Sequence, residues 1–224
     1  DIAVERGNIK PDNIFIVRNG PDSDFKKAPV NISVKNNFKY MAAYIGVMGA
    51  PDGVENIIYS ADYLINTKSY KDIFYILIGY GDEYENIKAL ISELELSDYF
   101  SMPGRISDED VLTILSAADV CLAPDPKNGL NEFHTMNKIM DYMRMGKPIV
   151  SFDLLESKYS AESAAIYVKN NKFADFGDAI IYILENPEVA LKMGTAGIER
   201  VNKFLKWEIS KKELINAYNQ LFSI

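Results

Sequence analysis

Ile73-Phe-Tyr-Ile-Leu-Ile78 is a nearly continuous apolar run, and it decides the fold class of this 224-residue chain. The turn Gly79-Tyr-Gly81-Asp82 ends the run, and residues 83–94 then place apolar side chains at helical spacing. A short apolar run without polar alternation is typical of a strand that is covered on both faces, as in parallel sheets. The order strand, glycine turn and amphipathic helix therefore predicts one unit of an α/β protein.

The same pattern extends in both directions from this unit. Further strands are predicted at residues 13–17, 38–45, 99–102, 119–123, 149–152 and 165–168. Helices are predicted at residues 54–65 and 135–145, after Ser107, and two or three times from Phe173 onward. This alternation predicts a Rossmann-like, doubly wound parallel sheet that ends in a helical cap. Residues 22–37 are predicted as a loop or insertion, and we expect residues 1–224 to form one domain.

Composition and charge exclude several classes of protein. The net charge of −8 argues against a nucleic-acid partner, because binding to nucleic acid needs clustered Lys and Arg. The single cysteine, Cys121, excludes an internal disulfide and a cysteine-based zinc site, and we interpret it as a small buried hydrophobe. The sequence contains no apolar run long enough to span a membrane. We expect a cytoplasmic protein, and the polar opening at Asp1 indicates a piece of a longer chain.

Ligands of open α/β sheets bind beyond the carboxyl ends of the strands, so the turns at those ends are the candidate sites. Three of these turns hold residues suited to a phosphate: Gly46, Gly49 and Gly53 in the first, Gly79 and Gly81 in the second, and Arg105 in the third. Glycines let backbone N–H groups approach an anion closely, and an arginine can bind a phosphate or stack on a base. Tight turns and a solvated surface arginine explain the same residues without a ligand.

The fourth turn, residues 124–136, is the most informative because a polar loop leads directly into a predicted helix. Free N–H groups near Thr135 and Met136 would form an anion site at the start of that helix. Lys138 opposes the helix dipole there, which favours an anion in front of it. Asp141 lies on the same face of the helix and could accept ribose hydroxyls, although an i,i+3 ion pair with Lys138 is the simpler alternative. The single histidine, His134, is more often structural than catalytic in such a position.

These residues resemble the C-terminal half of family 4 (group 1) glycosyltransferases. The resemblance is densest over residues 118–150 and extends to the segment Val17-Arg-Asn-Gly-Pro21, the Gly79 and Gly104 turns, and Trp207 with the final helix. Most of that family carries two glutamates separated by seven residues at the fourth turn. Asp141 is at the position of the second glutamate, and Phe133 is at the position of the first. Glu132 is next to the first position but one residue too early. Asp52 stands where the family commonly has a lysine.

The resemblance implies a two-domain GT-B enzyme whose C-terminal domain binds a nucleotide-sugar donor, such as a UDP- or GDP-sugar. Transfer would retain the sugar's configuration, with no cofactor and no required metal. Lys138, Asp141 and Glu132 are the implied catalytic residues. The implied donor-binding residues are Gly46, Gly49, Gly53, Gly79, Gly81, Arg105, Asn131, Thr135, Met136, Lys138 and Asp141.

The implied partners are the donor and the protein's own N-terminal domain, which would hold a glycan, lipid-linked or polysaccharide acceptor and associate peripherally with a membrane. Two alternatives stay open: a donor-binding module that has lost catalysis, and a hydrolase or epimerase of the same architecture. The nucleotide base, the sugar and the acceptor are not predicted. We expect this chain alone to bind the donor weakly and to transfer nothing.

Overall fold

The computed structural model describes residues 2–21 and 29–222. Its centre is a six-stranded parallel sheet in the order β3-β2-β1-β4-β5-β6. The strands are β1 (Tyr40–Ile45), β2 (Ile73–Ile78), β3 (Phe100–Gly104), β4 (Val120–Ala123), β5 (Ile149–Phe152) and β6 (Ala165–Val168). This is the strand order of a Rossmann fold, which confirms the predicted fold class.

The helices lie before, between and after these strands. They are α1 (Ile2–Glu5), α2 (Glu55–Asp62), α3 (Tyr84–Glu93), α4 (Asp108–Ala117), α5 (Asn137–Arg144), α6 (Leu155–Ala161), α7 (Phe173–Glu185), α8 (Pro187–Arg200) and α9 (Trp207–Phe222). π-helical turns at Tyr63–Thr67 and Val201–Leu205 extend α2 and α8. Ser107 caps α4 by accepting a hydrogen bond from the Asp110 N–H, as its position in the sequence predicts.

Both faces of the sheet are covered, and side chains alternate between two cores. All six residues of β2 are buried, as its unbroken apolar run predicts. Tyr44 and Leu77 pack on one face with residues of α2, α3 and α7. Met41 and Ile76 pack on the other face with residues of α4 and α5. Cys121 is fully buried in this second core, where burial raises the pKa of its thiol to about 12, so it is the inert hydrophobe that we expected.

The predicted strand at residues 13–17 is wrong. Pro11–Asn13 forms one turn of 3-10 helix, and the residues after it pair with no strand of the described chain. Ile16 is 72% exposed, so the apolar alternation in this segment does not mark a buried strand. The segment instead runs beside α9, where the Arg18 N–H donates to the Ser210 hydroxyl and the Trp207 N–H donates to the Pro21 carbonyl.

Other parts of the chain also differ from the prediction. The helix expected to start at residue 135 starts at Asn137, because Asn131–Phe133 forms a 3-10 turn and Met136 is extended. The short helix α6 was not predicted. Of the loop predicted at residues 22–37, residues 22–28 lie outside the described residues, and Ile32–Lys35 forms a 3-10 turn. Within the described ranges, none of the helices combines the length and the apolar character that crossing a membrane needs.

Candidate functional site

A cleft of about 660 Å³ opens at the carboxyl ends of β1, β2 and β3, beside α4 and α5. Four predicted donor-binding residues, which come from four separate turns or helices, lie on its wall. They are Gly46, Gly79, Arg105 and Asp141. Parallel strands present all their carboxyl ends at one edge of the sheet, so the topology brings these turns together.

The rest of the wall is mainly apolar. Ile45 and Ile78 end their strands there, and α4 contributes three aliphatic side chains, Val111, Leu112 and Leu115. A cleft with apolar walls and a few charged groups suits a flat ring system that carries hydroxyls or phosphates at one end.

Asp141 lies between this cleft and a smaller one of about 220 Å³ that Asn19 and Trp207 help to line. Its carboxylate is 3.2 Å from the Arg144 Nε, and 34% of its side chain is exposed. Burial raises the pKa of Asp141, and the nearby Arg144 opposes that rise. The carboxylate therefore pairs with Arg144 rather than with Lys138, and the i,i+3 pair with Lys138 that the sequence suggested is not formed.

Lys138 is buried, with 9% of its side chain exposed, and its charge is balanced by carboxylates of the protein itself. Its Nζ lies 2.8 and 3.0 Å from the two carboxylate oxygens of Asp125, and 3.7 Å from one oxygen of Asp52. It also lies 4.8 Å from the centre of the Tyr44 ring. Asp125 is 13 residues earlier, beyond an irregular loop, so helical spacing gives no indication of this pair.

Lys138 is nevertheless next to the cleft. A Cβ placed on Gly46, which lines the cleft, would lie 3.4 Å from the Lys138 Cε. The Lys138 side chain thus passes beside the turn after β1, and its ammonium group lies where Asp125 and Asp52 meet.

The predicted glycines hold the turns together by close packing. A Cβ on Gly79 would lie 1.8 Å from the Gly46 carbonyl oxygen, and one on Gly81 would lie 2.4 Å from the Met48 carbonyl oxygen. Gly53 has φ +61°, and a Cβ there would lie 2.5 Å from Pro126. These contacts explain the glycines structurally and bring the turns after β1, β2 and β4 into one surface.

Hydrogen bonds from one of its side chains hold the loop after β4 in place. The buried Asn131 side-chain amide donates to the carbonyls of Pro51 and Pro126, at 2.8 and 2.9 Å. Glu132 lies 3.3 Å from the Lys127 Nζ. These contacts give Asn131 a structural role, and they place Glu132 in a surface ion pair on this loop.

Thr135, Met136 and His134 end the same loop. The Thr135 hydroxyl donates to Glu156 at 2.9 Å, and Met136 is the buried residue before α5. His134 is exposed. Among the residues that the structure describes, no group of three or more His, Cys, Asp or Glu side chains is arranged to hold a metal ion.

Arg18 was not predicted as a site residue, yet it reaches the start of α5. Its guanidinium pairs with Glu156, donates to the Thr135 hydroxyl at 3.3 Å and lies 4.4 Å from the centre of the Tyr159 ring. Arg18 belongs to the segment that resembles the family, but no local pattern connects residue 18 with residue 135.

The family model for glycosyl transferases group 1 matches residues 26–200. The chain belongs to this family. A curated relative, the alpha-D-kanosaminyltransferase of Streptomyces kanamyceticus, is 22% identical over 174 residues, which are 77% of this chain and 43% of the relative.

Solved structures share the fold. Sucrose-phosphate synthase from Thermosynechococcus elongatus superposes with a TM-score of 0.75 at 21% identity, over 92% of this chain and 52% of that protein. The Anabaena protein Alr3699/HepE, solved in complex with UDP and glucose, superposes with a TM-score of 0.77 at 13% identity, over 93% of this chain and 56% of that protein. This group 1 chain therefore spans about half the length of these three proteins.

Proposed function

We propose that this chain is the donor-binding half of a glycosyltransferase and that it holds a nucleotide-sugar in the cleft beside α4 and α5. The observation that carries the proposal is the convergence of Gly46, Gly79, Arg105 and Asp141 on one cleft at the carboxyl edge of a Rossmann sheet. Membership of the group 1 family supports it, as does the similar fold of a protein solved with UDP and glucose.

Each part of the cleft has a proposed role. The aliphatic wall from β1, β2 and α4 covers the nucleoside, with Arg105 beside the base. The Asp141 carboxylate accepts hydrogen bonds from the ribose hydroxyls. The turn at residues 46–53 and the Lys138 ammonium face the diphosphate and stabilise its charge as it leaves, which is electrostatic catalysis.

We further propose that the rest of the longer protein supplies the acceptor site and the groups that exclude water. The acceptor would be a glycan, a lipid-linked sugar or a polysaccharide. Transfer would retain the configuration of the sugar. It would take place in the cytoplasm, with the other domain contacting the membrane. No cofactor or metal is part of this proposal. The chain by itself would then bind donor weakly and transfer nothing.

Mapping the bound nucleotide by amide chemical shifts tests this proposal. UDP, GDP and ADP are each titrated into the isotopically labelled chain. We expect one of them to shift the amides of Gly46, Gly79 and Arg105, while Gly177, which packs against Leu64 of the α2 extension, stays unchanged as a control. Shifts confined to other surfaces, or no shifts at millimolar nucleotide, would contradict the proposed donor site.

A binding module that has lost transfer is the second candidate, and a specific observation favours it. Lys138 already contacts two carboxylates, so the cation available to the diphosphate is partly neutralised. Incubating the full-length protein with labelled donor and membrane extract separates the two functions. Incorporation of label into a glycan supports the transferase, whereas donor binding without incorporation supports the module. Free or epimerised sugar formed without acceptor would instead indicate a hydrolase or epimerase.

A further inference from the structure

The Asp52 carboxylate occupies a position suited to a phosphate. One of its oxygens accepts a hydrogen bond from the Gly49 N–H at 3.1 Å, and the other lies 3.7 Å from the Lys138 Nζ. A backbone N–H in a glycine turn and an ammonium group are the donors that bind phosphate oxygens in proteins. A carboxylate of this chain therefore accepts the Gly49 hydrogen bond and forms a longer ion pair with Lys138.

Two carboxylates face the single positive charge of Lys138. Asp125 neutralises Lys138 at short range, and Asp52 adds a second negative charge to the cluster. The third group that contacts Lys138, the Tyr44 hydroxyl, donates its proton to the Val47 carbonyl at 2.6 Å and brings no charge. A diphosphate that approached Lys138 would meet a net negative cluster, and like charges at such distances repel strongly when partly desolvated.

The carboxylates of Asp125 and Asp52 differ in how firmly their surroundings hold them. The Asp125 side chain is 2% exposed and has both oxygens on Lys138, so it is held. The Asp52 side chain is 23% exposed, is farther from Lys138, and ends the three-residue 3-10 turn Ala50–Asp52. Asp52 can therefore turn toward solvent while Asp125 stays in place.

We propose that Asp52 is an internal anion that occupies the diphosphate position, and that the donor must displace it from Lys138 and Gly49. Lys138 keeps Asp125 throughout and exchanges Asp52 for a diphosphate oxygen. The inference rests on the proposed function, since it assumes that the neighbouring cleft takes a nucleotide. Asp52 then weakens binding of the diphosphate without touching the nucleoside. The free nucleoside diphosphate carries more negative charge than its sugar ester, so Asp52 disfavours the product most and promotes its release.

Replacing Asp52 by asparagine tests this inference with little disturbance of the fold. The Asn amide oxygen still accepts the Gly49 N–H, because Asn serves as a cap as well as Asp, and only the charge is lost. Glu55→Gln is the matched control, since it removes one negative charge three residues later, on a side chain that lines the separate groove between α2 and α3. Thermal unfolding of each variant verifies that it is folded.

The experiment is a calorimetric titration of each protein with uridine, guanosine and adenosine, with their diphosphates and with UDP-glucose. We expect Asp52→Asn to bind its nucleoside diphosphate about tenfold more tightly than the unchanged chain, with a smaller gain for the sugar ester. Nucleoside affinity should change less than about twofold, and Glu55→Gln should change neither affinity appreciably.

The outcomes separate the inference from the function on which it rests. If Asp52→Asn binds the nucleoside but binds the diphosphate no more tightly than the unchanged chain does, the inference is overturned and the proposed donor cleft remains supported. An equal gain in diphosphate affinity in Glu55→Gln also overturns it, because the loss of any negative charge in this part of the chain would then explain the effect. Absence of any nucleotide or nucleoside binding to either protein overturns the proposed function and the inference together. Diphosphate binding by both proteins that is tighter in Asp52→Asn, with nucleoside binding unchanged, supports both.

Discussion

Lys138 and Asp125 form a buried ion pair whose two members depend on each other. Burial raises the pKa of the Asp125 carboxyl, and the adjacent Lys138 opposes that rise. Removing one partner of such a pair leaves an uncompensated charge in the interior, whereas replacing both costs much less. Lys138 therefore has a structural role in addition to the proposed contact with the diphosphate.

A double-mutant cycle measures that structural role. We expect Lys138→Met to lower the free energy of unfolding by about 3 kcal/mol, because Asp125 loses its counter-ion. Combining Lys138→Met with Asp125→Leu should recover most of the loss. Urea denaturation of the four proteins measures it. Additive losses in the double variant would show that the two residues do not stabilise each other.

The Asp141 carboxylate is predicted to lower the free energy of unfolding, although it contributes to the proposed binding of the donor. Because burial raises its pKa, the ionised carboxylate is less favourable in the folded chain than in the unfolded chain. Asp141→Asn should therefore raise the melting temperature at pH 7, by about 2 °C at most, since solvent screens a side chain that is 34% exposed. The same variant should bind nucleoside diphosphate about tenfold more weakly, because an ionised acceptor of the ribose hydroxyls is lost.

The pH dependence of Asp141→Asn follows from the same shift. As pH falls through the raised pKa of folded Asp141, the carboxyl takes up a proton and its cost to the fold disappears. The stability gain of Asp141→Asn should thus be largest near pH 7 and shrink as the solution is acidified toward the ordinary range of an aspartate. Melting curves across that pH range measure it, and a gain that grows on acidification would contradict the assignment.

Residue patterns predicted four of the residues that line the cleft. Gly46, Gly79 and Arg105 each follow a recognisable strand, and Asp141 lies on the helix after β4, so the parallel topology places them at one edge. The partners of Lys138 and of Arg18 were not predictable in this way. Their ion pairs with Asp125 and Glu156 cross irregular loops or join distant parts of the chain, and no periodicity encodes such contacts.

At the scale of the elements, the turns after β1, β2 and β4 form a single packed layer. Gly79 lies against the Gly46 carbonyl, and the Asn131 amide joins the loop after β4 to the turn after β1 through the Pro51 carbonyl. The shape of the cleft therefore depends on backbone contacts between turns as much as on its side chains.

A pair of alanine substitutions tests this layer. Gly79→Ala should lower the free energy of unfolding by more than about 3 kcal/mol, because its Cβ would overlap the Gly46 carbonyl oxygen. Gly129→Ala is the matched control: a Cβ there meets nothing within 4 Å, so we expect a change within about 0.5 kcal/mol. Chemical denaturation compares the two variants, and equal effects would show that the close approach is not important.

Element prediction succeeded where burial follows a local pattern and failed where it does not. The strand β2 is apolar on both faces and was predicted from its sequence. Residues 13–17 have a similar apolar content, but they lie beside α9 on the surface, outside the sheet. Whether an apolar segment joins a sheet depends on tertiary contacts, which a local window does not contain.

At the scale of the molecule, this group 1 chain corresponds to about half of the proteins that it resembles. Under the proposed function, this half would hold the nucleotide-sugar, whose nucleoside diphosphate is the leaving group, but not the acceptor nucleophile. We therefore expect no sugar transfer from labelled nucleotide-sugars by this chain alone, and transfer once the rest of the protein is present. Chromatography of the labelled products measures it, and transfer by the isolated chain would contradict the division of roles.

The most direct test of the account is a calorimetric titration of this chain and of Asp141→Ala with UDP, GDP and ADP. The account predicts that one nucleoside diphosphate binds with a one-to-one stoichiometry and that Asp141→Ala weakens its binding about tenfold. The affinity of the unchanged chain should be modest, because Asp52 and Asp125 already surround Lys138. If none of the three diphosphates binds at millimolar concentration, or if Asp141→Ala binds as well as the unchanged chain, the cleft beside α4 and α5 is not the donor site.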